Sequence, residues 1–175
     1  MAGLGVNPPR IRELTLRDIR ALRRRSARCV LTFVGYSGAG YRDPAALLAC
    51  AARVLARFDP ASTCVNIGAT AAGIGAVYPL ARQRGFATMG TVSSLAREQA
   101  EPLSPFVDEV FFIRDPSWGG WVPGTRRLSA TSSAVVTMSD VLVRIGGGAI
   151  AHAECSAARR AGVPVFALEA EPAPR

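Results

Sequence analysis

The sequence contains no lysine; all 21 of its strongly basic side chains are arginine. A Walker A nucleotide site needs its lysine, and Schiff-base and pyridoxal phosphate chemistry need one too, so all three are excluded. There is one histidine, His152, two residues before Glu154, so the two do not share a helix face. A histidine–carboxylate relay and a metal site are not expected. The four cysteines, Cys29, Cys50, Cys64 and Cys155, follow no zinc or redox spacing and sit among apolar residues. They read as buried free thiols in a reducing compartment. Long apolar runs are missing as well. The longest uncharged stretch, residues 60–81, is broken by Asn66, Pro79 and several glycines and threonines, which makes a poor membrane span. No basic start followed by an apolar run opens the chain, so no secretory leader is expected and the expected compartment is the cytoplasm.

What is present is a chain of 175 residues, 49% apolar, enough for one domain with its own core. Its net charge of +8 is uneven: residues 1–28 carry eight arginines against Glu13 and Asp18, a net +6, and the remainder is +2. The basic character belongs to the N-terminal segment, so general nucleic-acid binding by the main domain is not expected.

Residues 1–10, with two prolines and two glycines, read as a loose tail. Thr15 can cap a helix over 15–27 whose Leu16, Ile19 and Leu22 share one face and whose arginines cover much of the rest. That face packs on the sheet or on a second subunit; a phosphate or nucleic-acid contact is the other reading. Strands are expected at 29–34, 63–67, 86–92, 109–113, 141–145 and 164–168, with helices at 44–58, up to 84, at 129–138 and at 149–161. Residues 169–175 are a proline-rich tail. Strand and helix alternate with short links, which implies a parallel sheet with right-handed crossovers. The fold class is α/β, a single Rossmann-like domain over 29–168 with helices on both faces of a parallel sheet. Residues 114–128 are irregular, and Trp118 and Trp121 there either cover a ligand or partner or tuck onto the domain's own edge.

The chain is organised around residues 139–154, S-D-V-L-V-R-I-G-G-G-A-I-A-H-A-E: a β-branched strand, a glycine turn, then a helix start. Amide groups at a helix start lack intrahelical partners and favour an anion, most often phosphate. Two further glycine turns follow strands, G-Y-S-G-A-G-Y at 35–41 and G-A-T-A-A-G-I-G at 68–75. Such turns converge at the carboxyl edge of an open α/β sheet, where ligands bind. The candidate ligand-binding residues are Gly35, Ser37, Gly38, Gly68, Thr70, Gly73, Gly146, Gly147, Gly148 and Ala149. A dinucleotide site is not expected: the first loop is spaced G-x-x-G-x-G, and Asn66 ends the next strand without an acid near it to hold a ribose. Arg42, after the first loop, either pairs with a phosphate or is simply exposed.

Together, in this order, the three turns resemble the SLOG superfamily of Rossmann-like domains, which includes the LOG phosphoribohydrolases, often labelled lysine decarboxylases, and the molybdenum-cofactor carrier proteins. The first loop looks like the family's G-S-S-type turn. G-A-T-A-A-G-I-G-A-V resembles G-G-G-x-x-G-L-M-G-A-V, and the organising stretch resembles A-D-A-F-I-A-L-P-G-G-x-G-T-x-x-E. The resemblance implies a homodimer, no cofactor, and a phosphorylated small-molecule ligand. It also implies that Glu154 corresponds to the hydrolases' catalytic carboxylate. The family's later glycine and threonine are here Ile150 and Ala151. Its partner arginine falls at Thr131, with Arg126 and Arg127 near but out of register, so the candidate catalytic pair is Glu154 with Arg127. Two functions stay open: a carrier or sensor-type domain that binds a nucleotide-like ligand intact, or a nucleoside 5′-monophosphate N-glycosidase. For Glu154 the alternative is a first-turn glutamate favoured by the helix dipole; for Ser37, a turn hydroxyl.

Overall fold

The structure, a computed structural model, describes residues 7–174. Seven strands form one fully parallel sheet. In chain order they are β1 (Arg10–Leu14), β2 (Cys29–Gly35), β3 (Thr63–Ile67), β4 (Ala87–Ser93), β5 (Glu109–Ile113), β6 (Val141–Ile145) and β7 (Val165–Leu168). Across the sheet the order is β1-β5-β4-β3-β2-β6-β7. The chain winds outward from β2 in one direction and then restarts at β6 in the other. The point of reversal lies between β2 and β6, paired from Leu31↔Val141 to Gly35↔Ile145. A crevice opens at such a point because the two connections leave in opposite directions.

Helices cover both faces. α2 (Pro44–Leu55) and α3 (Val77–Gln83) pack on one, where Leu47, Ala51, Val77 and Tyr78 meet Leu31, Phe33 and Val65. α1 (Leu16–Arg25), α5 (Ala130–Met138) and α6 (Ala149–Arg160) pack on the other, through Ile19, Met138, Val135 and Cys155. β2 serves both layers because successive side chains alternate: Leu31 and Phe33 go one way, Val30 and Val34 the other. A short α4 (Leu95–Glu98) follows β4, an element that no apolar period announces in the sequence. The helix expected up to residue 84 begins only at Val77, after a 3₁₀ turn, Gly73–Ala76.

Most of the expected N-terminal tail lies outside the described residues, but the sheet crosses the expected boundary at residue 28. β1 is an edge strand whose residues are exposed except Leu14, so no alternation marks it in the sequence. α1 carries the expected cap, Thr15, in a reciprocal capping box with Asp18. It is tied to the fold by Arg23, which donates to both carboxylate oxygens of Asp140 at 2.5 and 2.6 Å, while Asp140 also accepts from the Val30 amide at 2.7 Å. Arg23→Ala is expected to cost about 1–2 kcal/mol, measured by urea unfolding. Hydrogen bonds to charged groups contribute about 1.5–3 kcal/mol, and this pair is partly exposed. The expected C-terminal tail is ordered against the first glycine loop: Arg42 N–H donates to Glu171 O, and Ala173 N–H to Gly40 O.

Candidate functional site

At the carboxyl ends of β2, β3 and β6 lies a cleft of about 800 Å³. Its rim is built from the turn after β2, with Gly35, Ser37 and Gly38, the turn after β3, with Gly68 and Thr70, and the start of α6, with Gly148 and Ala149. Seven of the ten candidate ligand-binding residues therefore line one cleft. Gly73, Gly146 and Gly147 do not line it. They are glycines for packing reasons. A Cβ on Gly73 would sit 2.2 Å from Tyr36 O, and its φ is +58°. One on Gly146 would sit 2.6 Å from the Tyr36 ring, and one on Gly147 2.6 Å from the Ala151 methyl. These three glycines let the turns nest against each other.

α6 starts without a side-chain cap: its N-cap is Gly148, which has no side chain to accept from the first amides. The amides of its first turn have no helical partner, and the residues that carry them, Ala149, Ile150 and Ala151, line the cleft. Beneath them the glycine turn is held by Arg144, a buried arginine of β6. Its guanidinium donates to Gly146 O at 2.8 Å and to Glu169 at 2.6 Å. Sequence reading passes over Arg144 because it sits in an otherwise apolar strand. It also passes over the polar row across the floor. Asn66 Nδ2 donates to Thr32 Oγ1 at 3.2 Å, and Thr91 Oγ1 donates to Asn66 Oδ1 at 3.1 Å. All three line the cleft and are buried. The available signal was one polar residue inside each of three apolar strands; Thr32 and Asn66 are in register, and Thr91 lies two residues past Met89, the partner of Asn66.

Glu154 lines the cleft and is 6% exposed. Burial pushes its carboxyl up to about 7, against the lowering effect of Ser132, whose hydroxyl donates to Oε1 at 2.7 Å. Ser132 Oγ in turn accepts from the Gly120 amide at 2.7 Å. The long segment after β5 is thereby stitched to the carboxyl, and Trp118 from that segment lines the cleft. Ile150 is among the residues that line the cleft. It supports this segment: a Cβ on Gly119 would meet Ile150 Cγ2 at 3.1 Å, and one on Gly120 would meet Ile150 Cγ1 at 3.4 Å. Asp115 anchors the segment's start. Its burial raises the carboxyl, but the amides of Thr131 and Ser117 and the Ser117 hydroxyl outweigh this and hold it below the usual range.

Arg127 is exposed and, like Arg126, does not line the cleft. The pairing of Glu154 with Arg127 is not one this geometry brings together. Among the described residues no arginine lines the cleft; its charged residues are Glu101 and Glu154. Thr131, at the position where the resemblance puts an arginine, lines the cleft. Its hydroxyl is the one buried side-chain polar atom without a hydrogen-bond partner among the described residues. It adds the smallest contribution to the lowered Asp115 but does not reach hydrogen-bond geometry with it. The oxygen itself is shielded from solvent, so it is a buried orphan within the cleft wall and not a donor open to a ligand. His152 is exposed and does not line the cleft; its Nε2 accepts from Arg144 at 3.4 Å.

No family model matches the chain. No curated protein sequence matches it either. Solved structures do. The Moco carrier protein from Chlamydomonas reinhardtii is 19% identical, with a TM-score of 0.56, over 81% of this chain and 76% of that one. A structural-genomics target, TM1055, is 21% identical, with a TM-score of 0.54, over 78% of this chain and 72% of that one. At these identities the likeness establishes the fold. The motif resemblance, whose superfamily includes Moco carrier proteins, and the structural likeness arrive at the same Rossmann-like architecture.

Proposed function

We propose that this chain binds a nucleotide-like phosphorylated small molecule across its glycine turns and holds it without breaking a bond, as a carrier or sensor-type domain. The observation that carries this reading is the uncapped start of α6 in the cleft wall, with the glycine turns after β2 and β3 lining the same cleft. Helix-start amides and neighbouring turn amides and hydroxyls, Ser37 and Thr70 among them, are donors for a phosphate oxygen. The apolar walls and Trp118 suit the flat remainder of such a ligand. Among the described residues the cleft has no cation to hold the phosphate of a nucleotide while its glycosidic bond breaks, which favours binding over turnover. Likeness to a Moco carrier protein supports a small-molecule binder of this general kind. The homodimer and cytoplasmic setting expected from the sequence remain part of this proposal.

One observation favours the phosphoribohydrolase as a second reading. Glu154 is a buried carboxyl poised to about 7, the range in which a side chain can take or give a proton at neutral pH. The two readings separate in one experiment. Thermal melting is followed against nucleoside monophosphates and phosphorylated sugars, and the same mixtures are assayed for free base. At a hundredfold excess over Kd the midpoint is expected to rise by about 5–10 °C with the ligand intact. Base release that disappears in Glu154→Gln would replace the carrier reading with the hydrolase. No shift with any compound would remove both.

A further inference from the structure

A second depression, of about 530 Å³, lies outside the cleft and is walled by the same segment that carries Trp118. That segment supplies Trp121, Thr125 and Arg126, and α6 supplies Ser156, Arg159 and Arg160. Ser156, Arg159 and Arg160 are spaced i, i+3 and i+4, so the helix presents them on one face. The opposing wall is a defined turn. Trp121 bridges Leu128, Val122 N–H donates to Arg127 O, and Thr125 N–H donates to Val122 O. Arg160 stacks over the Trp121 ring at 4.9 Å, which links the two walls. Three guanidinium groups thus face one depression, and none has an ion-pair partner among the described residues. No carboxylate lines the depression among the described residues. The Ser156 hydroxyl is exposed there, so a further donor stands beside the guanidinium groups.

From this geometry we infer a polyanion site whose ligand is a chain of two or three linked phosphates. Guanidinium groups bind phosphate oxygens through paired N–H donors, and three of them match the charge of a short polyphosphate. A single phosphate would leave cations unmatched at a surface where screening is strong. The contrast within the molecule supports the assignment: among the described residues the cleft has no cation, and this depression has no anion. The inference stands on its own residues and does not depend on what occupies the cleft.

The probe is inorganic tripolyphosphate, titrated into the full chain by calorimetry and by tryptophan fluorescence. Wild-type protein is expected to bind it. The triple variant Arg126→Ala/Arg159→Ala/Arg160→Ala is expected to bind at least tenfold more weakly with an unchanged circular dichroism spectrum, because all three side chains are exposed. A control, Arg17→Ala/Arg20→Ala/Arg24→Ala on α1, removes the same charge elsewhere and is expected to bind like wild type. Failure of wild type to bind, retention of binding by the first variant, or equal weakening in the control would each overturn the site. Comparison with adenosine triphosphate identifies the source of the phosphates. Equal affinity assigns the phosphate chain alone, and tighter binding adds a base stacked on Trp121; both support the site.

Discussion

Gly73→Ala is expected to lose about 4 kcal/mol of stability, read as a fall in the urea midpoint at unchanged slope. Gly73 sits at φ +58°, a region that side-chain-bearing residues enter at about 1–3 kcal/mol. The added methyl would also lie 2.2 Å from Tyr36 O and 2.3 Å from Ser37 O. Both are backbone atoms, so neither can swing away, and overpacking of this kind costs about 1–3 kcal/mol more. The same contact carries a hydrogen bond, Ile74 N–H to Tyr36 O at 2.7 Å, which the shift would break. The first and second glycine turns are docked through this point. Surviving Gly73→Ala protein should therefore also lose its ligand-induced midpoint shift. A variant as stable as wild type would mean that the turns do not nest as described.

The second large effect concerns pH. Glu154 is raised from an ordinary 4.5 to about 7 by burial. Between those values the folded protein keeps a proton that the unfolded chain gives up. The stability this proton contributes is therefore fully present below about pH 4.5, falls as pH rises, and is lost above about 7. The size is about 3 kcal/mol, since a tenfold difference in proton affinity between folded and unfolded chains is worth about 1.4 kcal/mol. Glu154→Gln keeps an oxygen for Ser132 and removes the titration. It should match wild type at the acid end and exceed it by about 3 kcal/mol above neutrality. Taking the difference between the two proteins cancels carboxyls such as Asp115 and Glu169, whose lowered values give the opposite slope at lower pH. Parallel stability curves would show that Glu154 is solvated and ionised when folded.

Much of this architecture was legible because three local signals repeat. Apolar β-branched runs, each ending in glycine and followed by a helix-forming stretch, mark β2, β3 and β6 and put their turns at one edge. β1 was not legible, because an edge strand with Arg10, Arg12 and Glu13 outward has no apolar period to read. Within the site the glycines stand out in the sequence, but their separate jobs do not. Gly38 and Gly68 have nothing within 4 Å of the place a methyl group would take, whereas Gly73 and Gly147 are sterically required. Spacing alone does not separate open space from close contact. Ile150 and Ala151 stand where the resemblance has glycine and threonine; both line the cleft, and the closeness of Gly119 and Gly120 to Ile150 is distant in sequence. Thr32, Asn66 and Thr91 act together only because adjacent strands bring their side chains within hydrogen-bond reach, which no single strand shows.

The two edges of the sheet are chemically unlike. β1 carries charge along its length, with Arg10 paired to Glu109 and Arg97 to Glu13. β7 shows Phe166, 52% exposed, and an exposed Ala167, and has no second neighbour among the described residues. Its free amides and carbonyls are a template for further strand pairing, and its side chains do nothing to repel one. Growth of this sheet is therefore polarised. In a crowded refolding mixture the β7 edge is where chains would first adhere, and Phe166→Lys is the change that would make both borders equally uninviting.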